Sequence, residues 1–199
     1  VSDTAMLLSS IAGADPAYPN TLPMAPAQFA QSLDRDWKHA RIGWLGDFDG
    51  YLATEPGVMA LCEKALDGFK AAGLAVERFD LEYDMASLWQ TWLTYRHWMN
   101  RRRGIALYNN PETRPLLKPE LVWEVEGGAN ITGDEVSQAM TARGRFYQAV
   151  ARAFEKVDFL VLPTAQVFPF DKTVHWPKQV GGRDMDTYCL LYTSDAADD

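Results

Sequence analysis

The run Arg41-Ile42-Gly43-Trp44-Leu45, followed by Glu55-Pro56-Gly57 and, after a helical stretch, by Gly73 and Leu74–Leu81, decides the fold. Residues 41–45 form a short apolar run of strand length. Glu55-Pro56-Gly57 is expected to open a helix, because proline near the first turn sacrifices an N–H that has no intrahelical partner. Val58, Cys62, Ala65, Leu66 and Phe69 then recur at helical spacing and are expected to form one buried stripe. Gly73 stands where a helix stops. Leu74–Leu81 returns as a second strand, with Val76, Phe79 and Leu81 as its apolar residues. Strand, crossover helix and strand imply a parallel pair and a right-handed βαβ unit.

Working outward, Ser2 is expected to cap a helix from Asp3 to Ala12, with Gly13 as its stop. Four prolines between residues 14 and 40 mark an irregular connection, with room for a short helix over Ala27–Leu33. Asp84 is a candidate cap for a helix over Met85–Arg103. Met85, Leu88, Trp92, Tyr95 and Met99 form its stripe, and Trp89, Leu93 and Trp98 widen that stripe beyond an ordinary amphipathic face. Such a helix is either covered on two sides or lines an aromatic cleft. Arg101-Arg102-Arg103 at its end reads as cations complementing the helix dipole, with anion binding as the alternative. A short helix is expected over Lys118–Glu126. Thr132-Gly-Asp-Glu135 is a capping box, and the helix it starts, running to about Lys156, is expected to be the longest. Its apolar stripe is Val136, Met140, Tyr147, Val150, Phe154 and Val157. Asp158-Phe-Leu-Val-Leu162 is expected to be a strand buried on both faces, ending at Pro163-Thr164. Residues 165–182 read as a proline- and aromatic-rich loop. The fold class is therefore α/β, with helices covering a mixed, partly parallel β-sheet.

Composition narrows the function. Of 199 residues, 47% are hydrophobic and 23% charged, an ordinary globular balance. A net charge of -8 argues against nucleic acid as a partner. No apolar run reaches the ~18–20 residues of a membrane span, so no membrane partner is expected. Cys62 and Cys189 make no disulfide framework, and Cys62 reads as a core thiol. His39, His97 and His175 lie far apart without metal-ligand spacing, so no metal is expected. A nucleophile elbow and a Walker lysine loop are both missing from the pattern. Gly43, Gly46 and Gly50 follow the first strand, but Asp47 and Asp49 between them would repel a pyrophosphate. Those two aspartates read as solvated loop residues, with an acid–base pair as the alternative.

The order of the pieces carries a resemblance. Val1-Ser-Asp-Thr-Ala-Met-Leu-Leu…Ile11-Ala-Gly-Ala-Asp-Pro16 resembles a segment of the amidase signature family that follows its nucleophile region. Arg41-Ile-Gly-Trp-Leu45, Gly73-Leu-Ala-Val-Glu77, Asp158-Phe-Leu-Val-Leu-Pro-Thr164 and Gly182-Arg-Asp-Met-Asp-Thr-Tyr188 resemble successive later pieces, in the same order. The resemblance covers residues 1–188. It implies an amide hydrolase with a Ser–Ser–Lys triad, no metal or organic cofactor, and a small-molecule amide as substrate. It also implies that the triad precedes Val1, so that no serine here inherits the nucleophile role, and that residues 1–188 are the C-terminal portion of such a domain, inactive alone. A homo-oligomer and a cytoplasmic location are further expectations. Under this resemblance Thr164, Phe168 and Trp176 would form part of the substrate cleft wall, with Trp89 and Trp92 in the second rank. Two other readings stand beside it: a non-catalytic α/β binding module, and part of an amidotransferase subunit of the same fold family, acting on transfer RNA with partner chains. The last stretch, residues 189–199, resembles a translated sequencing adapter and is expected to be a non-native tail.

Overall fold

The computed structural model describes residues 1–21, 23–32, 34 and 36–185. Two compact units emerge, residues 1–37 and the remainder of the chain.

In the first unit, α1 (Ser2–Ile11) packs along a 3-10 turn at Pro26–Ala30. The N-cap is Val1 and makes no side-chain bond, so Ser2 is the first helical residue rather than the cap. None of the α1 residues is buried, and Met6, Leu7 and Ile11 are exposed. The expected short helix thus starts at Pro26 and is 3-10 in type; Leu33 lies outside the described residues.

The second unit is built on β1 (Arg41–Trp44), with β2 (Ala75–Arg78) and β3 (Phe159–Val161) parallel on either side in the order β2-β1-β3. Ile42 pairs with both Val76 and Phe159, which sets the register. At the start of the sheet, Arg41 N–H donates to Asp158 Oδ2 at 2.7 Å and Asp158 N–H donates to Arg41 O at 2.8 Å. This exchange holds the Asp158 carboxyl below the ordinary carboxylate range, chiefly through the Arg41 backbone N–H. Gly43 is required in the middle strand. A Cβ there would lie 2.9 Å from Phe79 Cβ and 3.1 Å from a Leu160 methyl. Ile42, Trp44 and Leu45 supply the buried apolar surface of the sheet.

Between β1 and β2 runs α2 (Val58–Ala71), the crossover expected from sequence. It begins after Pro56 and Gly57, which sit in a turn. Val58 and Leu66 are buried, Cys62 is half-buried, and Ala65 and Phe69 face out. Burial raises the Cys62 thiol pKa, with Glu63 adding to the effect.

Capped by Asp84, which accepts from Ala86 N–H at 3.0 Å, α3 (Met85–Asn109) is the longest helix, with 25 residues. The helix started by the capping box, α5 (Gly133–Phe154), has 22 and comes second, contrary to expectation. Because α3 continues to Asn109, the arginine triplet lies inside it. Arg101 donates to Val125 O at 2.9 Å on α4 (Pro119–Gly127) and is not a C-terminal cation. The capping box of α5 is complete. Thr132 Oγ1 accepts from Glu135 N–H at 3.2 Å, and Glu135 Oε2 accepts from Thr132 N–H at 2.7 Å.

Besides Ala65 and Phe69 of α2, expected in a buried stripe and found exposed, two more expectations about burial are corrected. In α5 the buried residues are Ala139, Ala149 and Ala153, while Met140, Tyr147 and Phe154 are exposed. Small residues occupy the buried face of α5, and these large apolar side chains face out. The second correction concerns β3, which is an edge of the three-stranded sheet; Phe159 is exposed and Leu160 and Val161 are half-buried. Within the expected loop 165–182 and just past it, β4 (Gln179–Val180) and β5 (Arg183–Asp184) form an antiparallel hairpin around Gly181-Gly182. The expected tail, residues 189–199, lies outside the described residues.

Candidate functional site

In open parallel sheets, ligands gather beyond the carboxyl ends of the strands. Here that end carries two long loops, one after β1 and one after β3, and the polypeptide ties them together. Leu45 N–H donates to Val161 O at 2.9 Å, extending the ladder one step. Glu55 N–H then donates to Gln166 O at 2.7 Å, and the Gln166 carboxamide Nε2 donates to Ala53 O. Phe168 N–H donates to Glu55 Oε2 at 2.8 Å. From the hairpin, Arg183 Nη1 donates to Gly50 O at 3.1 Å and to Tyr51 O at 2.8 Å. Ala53, Val180 and Met185 form a small buried cluster, with Val167 and Trp176 packed against it.

The five residues singled out from sequence fall into two groups. Thr164 is exposed immediately beyond β3. Phe168 is exposed, with its ring against Gly57. Trp176 is half-buried, and Lys178 Nζ lies 3.1 Å from its ring centroid. These three share the loop after β3. Trp89 and Trp92 instead stack on each other along α3, with centroids 5.1 Å apart. The Arg96 guanidinium covers Trp92 at 4.9 Å and bonds to the buried Glu124. Asn100 Nδ2 donates to the same carboxylate, and His97 Nδ1 lies 3.1 Å from Glu124 O. Glu124 thus ties α3 to α4 through a polar network beside the half-buried Trp89–Trp92 stack.

A cavity of about 890 Å³ opens beyond β1 and β2. Leu45, Phe48, Phe79, Leu81, Tyr83 and Met85 supply its apolar wall, and Asp47, Asp49, Arg78 and Asp80 its charges. The loop on its rim is conformationally demanding. Phe48 and Asp49 adopt φ of 53° and 56°. Such left-handed backbone in residues other than glycine persists where the surroundings enforce it. Gly46, also left-handed at φ +60°, lies so close to Arg78 that a Cβ would stand 2.5 Å from Nη1. Asp47 Oδ1 accepts from Gly50 N–H at 3.0 Å, a bond that closes the loop on itself.

Sequence reasoning missed Glu55, Gln166 and Arg183, whose contacts span 113, 132 and 133 residues. The Gly-Gly pair at 181–182 was the one local signal for the hairpin that presents Arg183. Among the described residues no group of three or more His, Cys, Asp or Glu is placed to hold a metal. Nor is any helix among them long and apolar enough to cross a membrane.

Comparison with known proteins places this arrangement. The amidase family model matches residues 1–196. An amidase of Pseudomonas putida is 28% identical over 178 residues, covering 84% of this chain and 35% of the relative. An acylamidase of Rhodococcus erythropolis is 26% identical over 174 residues, covering 82% and 34%. Among solved structures, a bacterial aryl acylamidase of the amidase signature family superposes with a TM-score of 0.82 at 20% identity, over 96% of this chain and 41% of that one. A 6-aminohexanoate cyclic dimer hydrolase, solved with its substrate, gives 0.69 at 20% identity, over 96% and 42%. The chain spans about a third of the length of the curated relatives it matches. With the family model matching nearly the whole sequence, the chain belongs to the amidase family.

Proposed function

We propose that residues 1–188 are the C-terminal part of an amide hydrolase acting through a Ser–Ser–Lys triad, and that the lysine and both serines lie outside them. Residues 1–188 would form this portion of the domain, and 189–199 a non-native tail. The chain's share is scaffold and cleft wall. The observation that carries this reading is the pairing of a family match over residues 1–196 with coverage of only 35% and 34% of two curated relatives. The bonded loops after β1 and β3 support it, since the loop after β3 carries Thr164, Phe168 and Trp176. Trp89 and Trp92 take a second-rank role, because Arg96 and Glu124 already engage their stack. The substrate is a small carboxylic amide. An acyl anilide is the natural first choice, given the aryl acylamidase among the structural relatives.

The test compares the 199-residue chain with a protein extended upstream of Val1, both supplied with a nitroanilide. Hydrolysis by the extended protein alone, abolished when a serine of the upstream Gly/Ser-rich run becomes alanine, is the expected result. Turnover by the 199-residue chain alone would overturn the reading.

A further inference from the structure

The cavity beyond β1 and β2 has features that the cleft-wall role does not use. Its charges are of both signs and are held at defined places. Arg78 comes from the last position of β2, and its Nε faces Asp80 Oδ1 at 3.4 Å. That pairing leaves the two terminal nitrogens, Nη1 and Nη2, without a protein partner among the described residues. Gly46 permits this placement, because any side chain there would meet Nη1. On the rim from β1, Asp49 is exposed and held at φ 56°. Its carboxylate also has no partner among the described residues. Asp47, by contrast, is occupied in the loop by Gly50 N–H. The loop carrying Asp49 is anchored by Arg183 through Gly50 O and Tyr51 O. Phe48, Phe79 and Leu81 line the same cavity and supply apolar surface beside the charges.

We infer that this cavity binds a zwitterionic amino acid whose ammonium and carboxylate are separated by an apolar spacer. The Arg78 fork presents two parallel donors suited to a carboxylate. Asp49 offers an acceptor for the ammonium. A simple anion is disfavoured, because three aspartates line the cavity with one arginine. A simple cation would leave the Arg78 fork unused. The volume of about 890 Å³ accommodates a small ligand of this kind. The inference does not depend on amide hydrolysis, because binding is read directly.

The experiment titrates the isotope-labelled 199-residue chain with 5-aminopentanoate, pentanoate and pentylamine, following backbone amide shifts. The expected result is saturable shifts at Gly46–Gly50 and Tyr83 with 5-aminopentanoate, and affinity about tenfold weaker for each single-charge analogue. Arg78→Gln should reduce 5-aminopentanoate to the affinity of pentylamine. Asp49→Asn, an exposed and nearly isosteric change, should reduce it to that of pentanoate. Equal binding of pentylamine and 5-aminopentanoate overturns the inference, as does the absence of shifts at those amides. Unchanged affinity in both variants overturns it as well.

Discussion

Arg96 Nε lies 2.6 Å from Glu124 Oε1, joining the middle of α3 to α4 through a carboxylate whose side chain is 5% exposed. Asn100 shares that carboxylate, and Arg96 also covers Trp92. A buried ion pair is a poor source of net stability, yet removing one partner strands the other in a dry environment. Glu124→Ala should therefore cost about 3 kcal/mol, read as a lower midpoint in urea. Trp92 fluorescence should change in the same variant, because the guanidinium above it loses its anchor. Retention of the wild-type midpoint would show that Arg96 relaxes into solvent without cost.

The α5 helix offers a test of which of its faces carries energy. Ala149 is 4% exposed and Tyr147 is 74% exposed. Tyr147→Ser should change stability by no more than about 0.5 kcal/mol, as for other surface positions. Ala149→Leu forces extra methylenes into a buried position and should cost about 1–3 kcal/mol. Thermal melts of the two variants side by side decide this. The reverse ranking would place the large apolar stripe inside.

That same helix shows where sequence reasoning reached and where it stopped. The capping box of Thr132 and Glu135 is local, four residues long, and was legible outright. The βαβ unit was legible because β1 is a bounded apolar run and Gly73 ends its crossover helix. The buried face of α5 was not, since hydrophobicity alone favours Met140 and Tyr147 over Ala139 and Ala149. Close helix packing selects small side chains, and the pattern of large ones cannot report that. At the candidate site, the loop after β3 could be placed at a strand end. The bonds that fix it, from Glu55, Gln166 and Arg183, join residues more than a hundred positions apart and leave no local trace.

Asp158 gives a pH prediction. Its folded pKa is depressed, first by the Arg41 backbone N–H and further by the Arg41 side chain. The unfolded chain therefore takes up a proton at higher pH than the folded one. The stabilisation is complete above the ordinary carboxylate value near ~3.9 and is lost as pH falls through the lower folded value. Asp158→Asn removes this linkage, so the acid limb of its melting temperature against pH should be flatter than the parent's. Superimposable acid limbs would rule out a contribution from this pair.

Gln166 is 2% exposed and bridges the two strand-end loops; its Nε2 donates to Ala53 O, while Oε1 has no hydrogen-bond partner among the described residues. The orientation is dictated by Ala53, since a flipped carboxamide would set oxygen against oxygen. Gln166→Glu produces that opposition at neutral pH, with a charge added in a dry place. The cost should be about 3 kcal/mol or more, the range for a buried charged group left unpaired. Burial raises the pKa of the introduced carboxyl above its unfolded value. The destabilisation is then full above the raised value and fades as pH falls through it, because the protonated carboxyl can donate to Ala53 O. Gln166→Glu should therefore approach the parent's stability in mild acid, whereas Gln166→Leu, which cannot donate at any pH, should remain offset by a constant amount. A constant offset in both variants would mean that the Ala53 carbonyl is not the group that fixes this side chain.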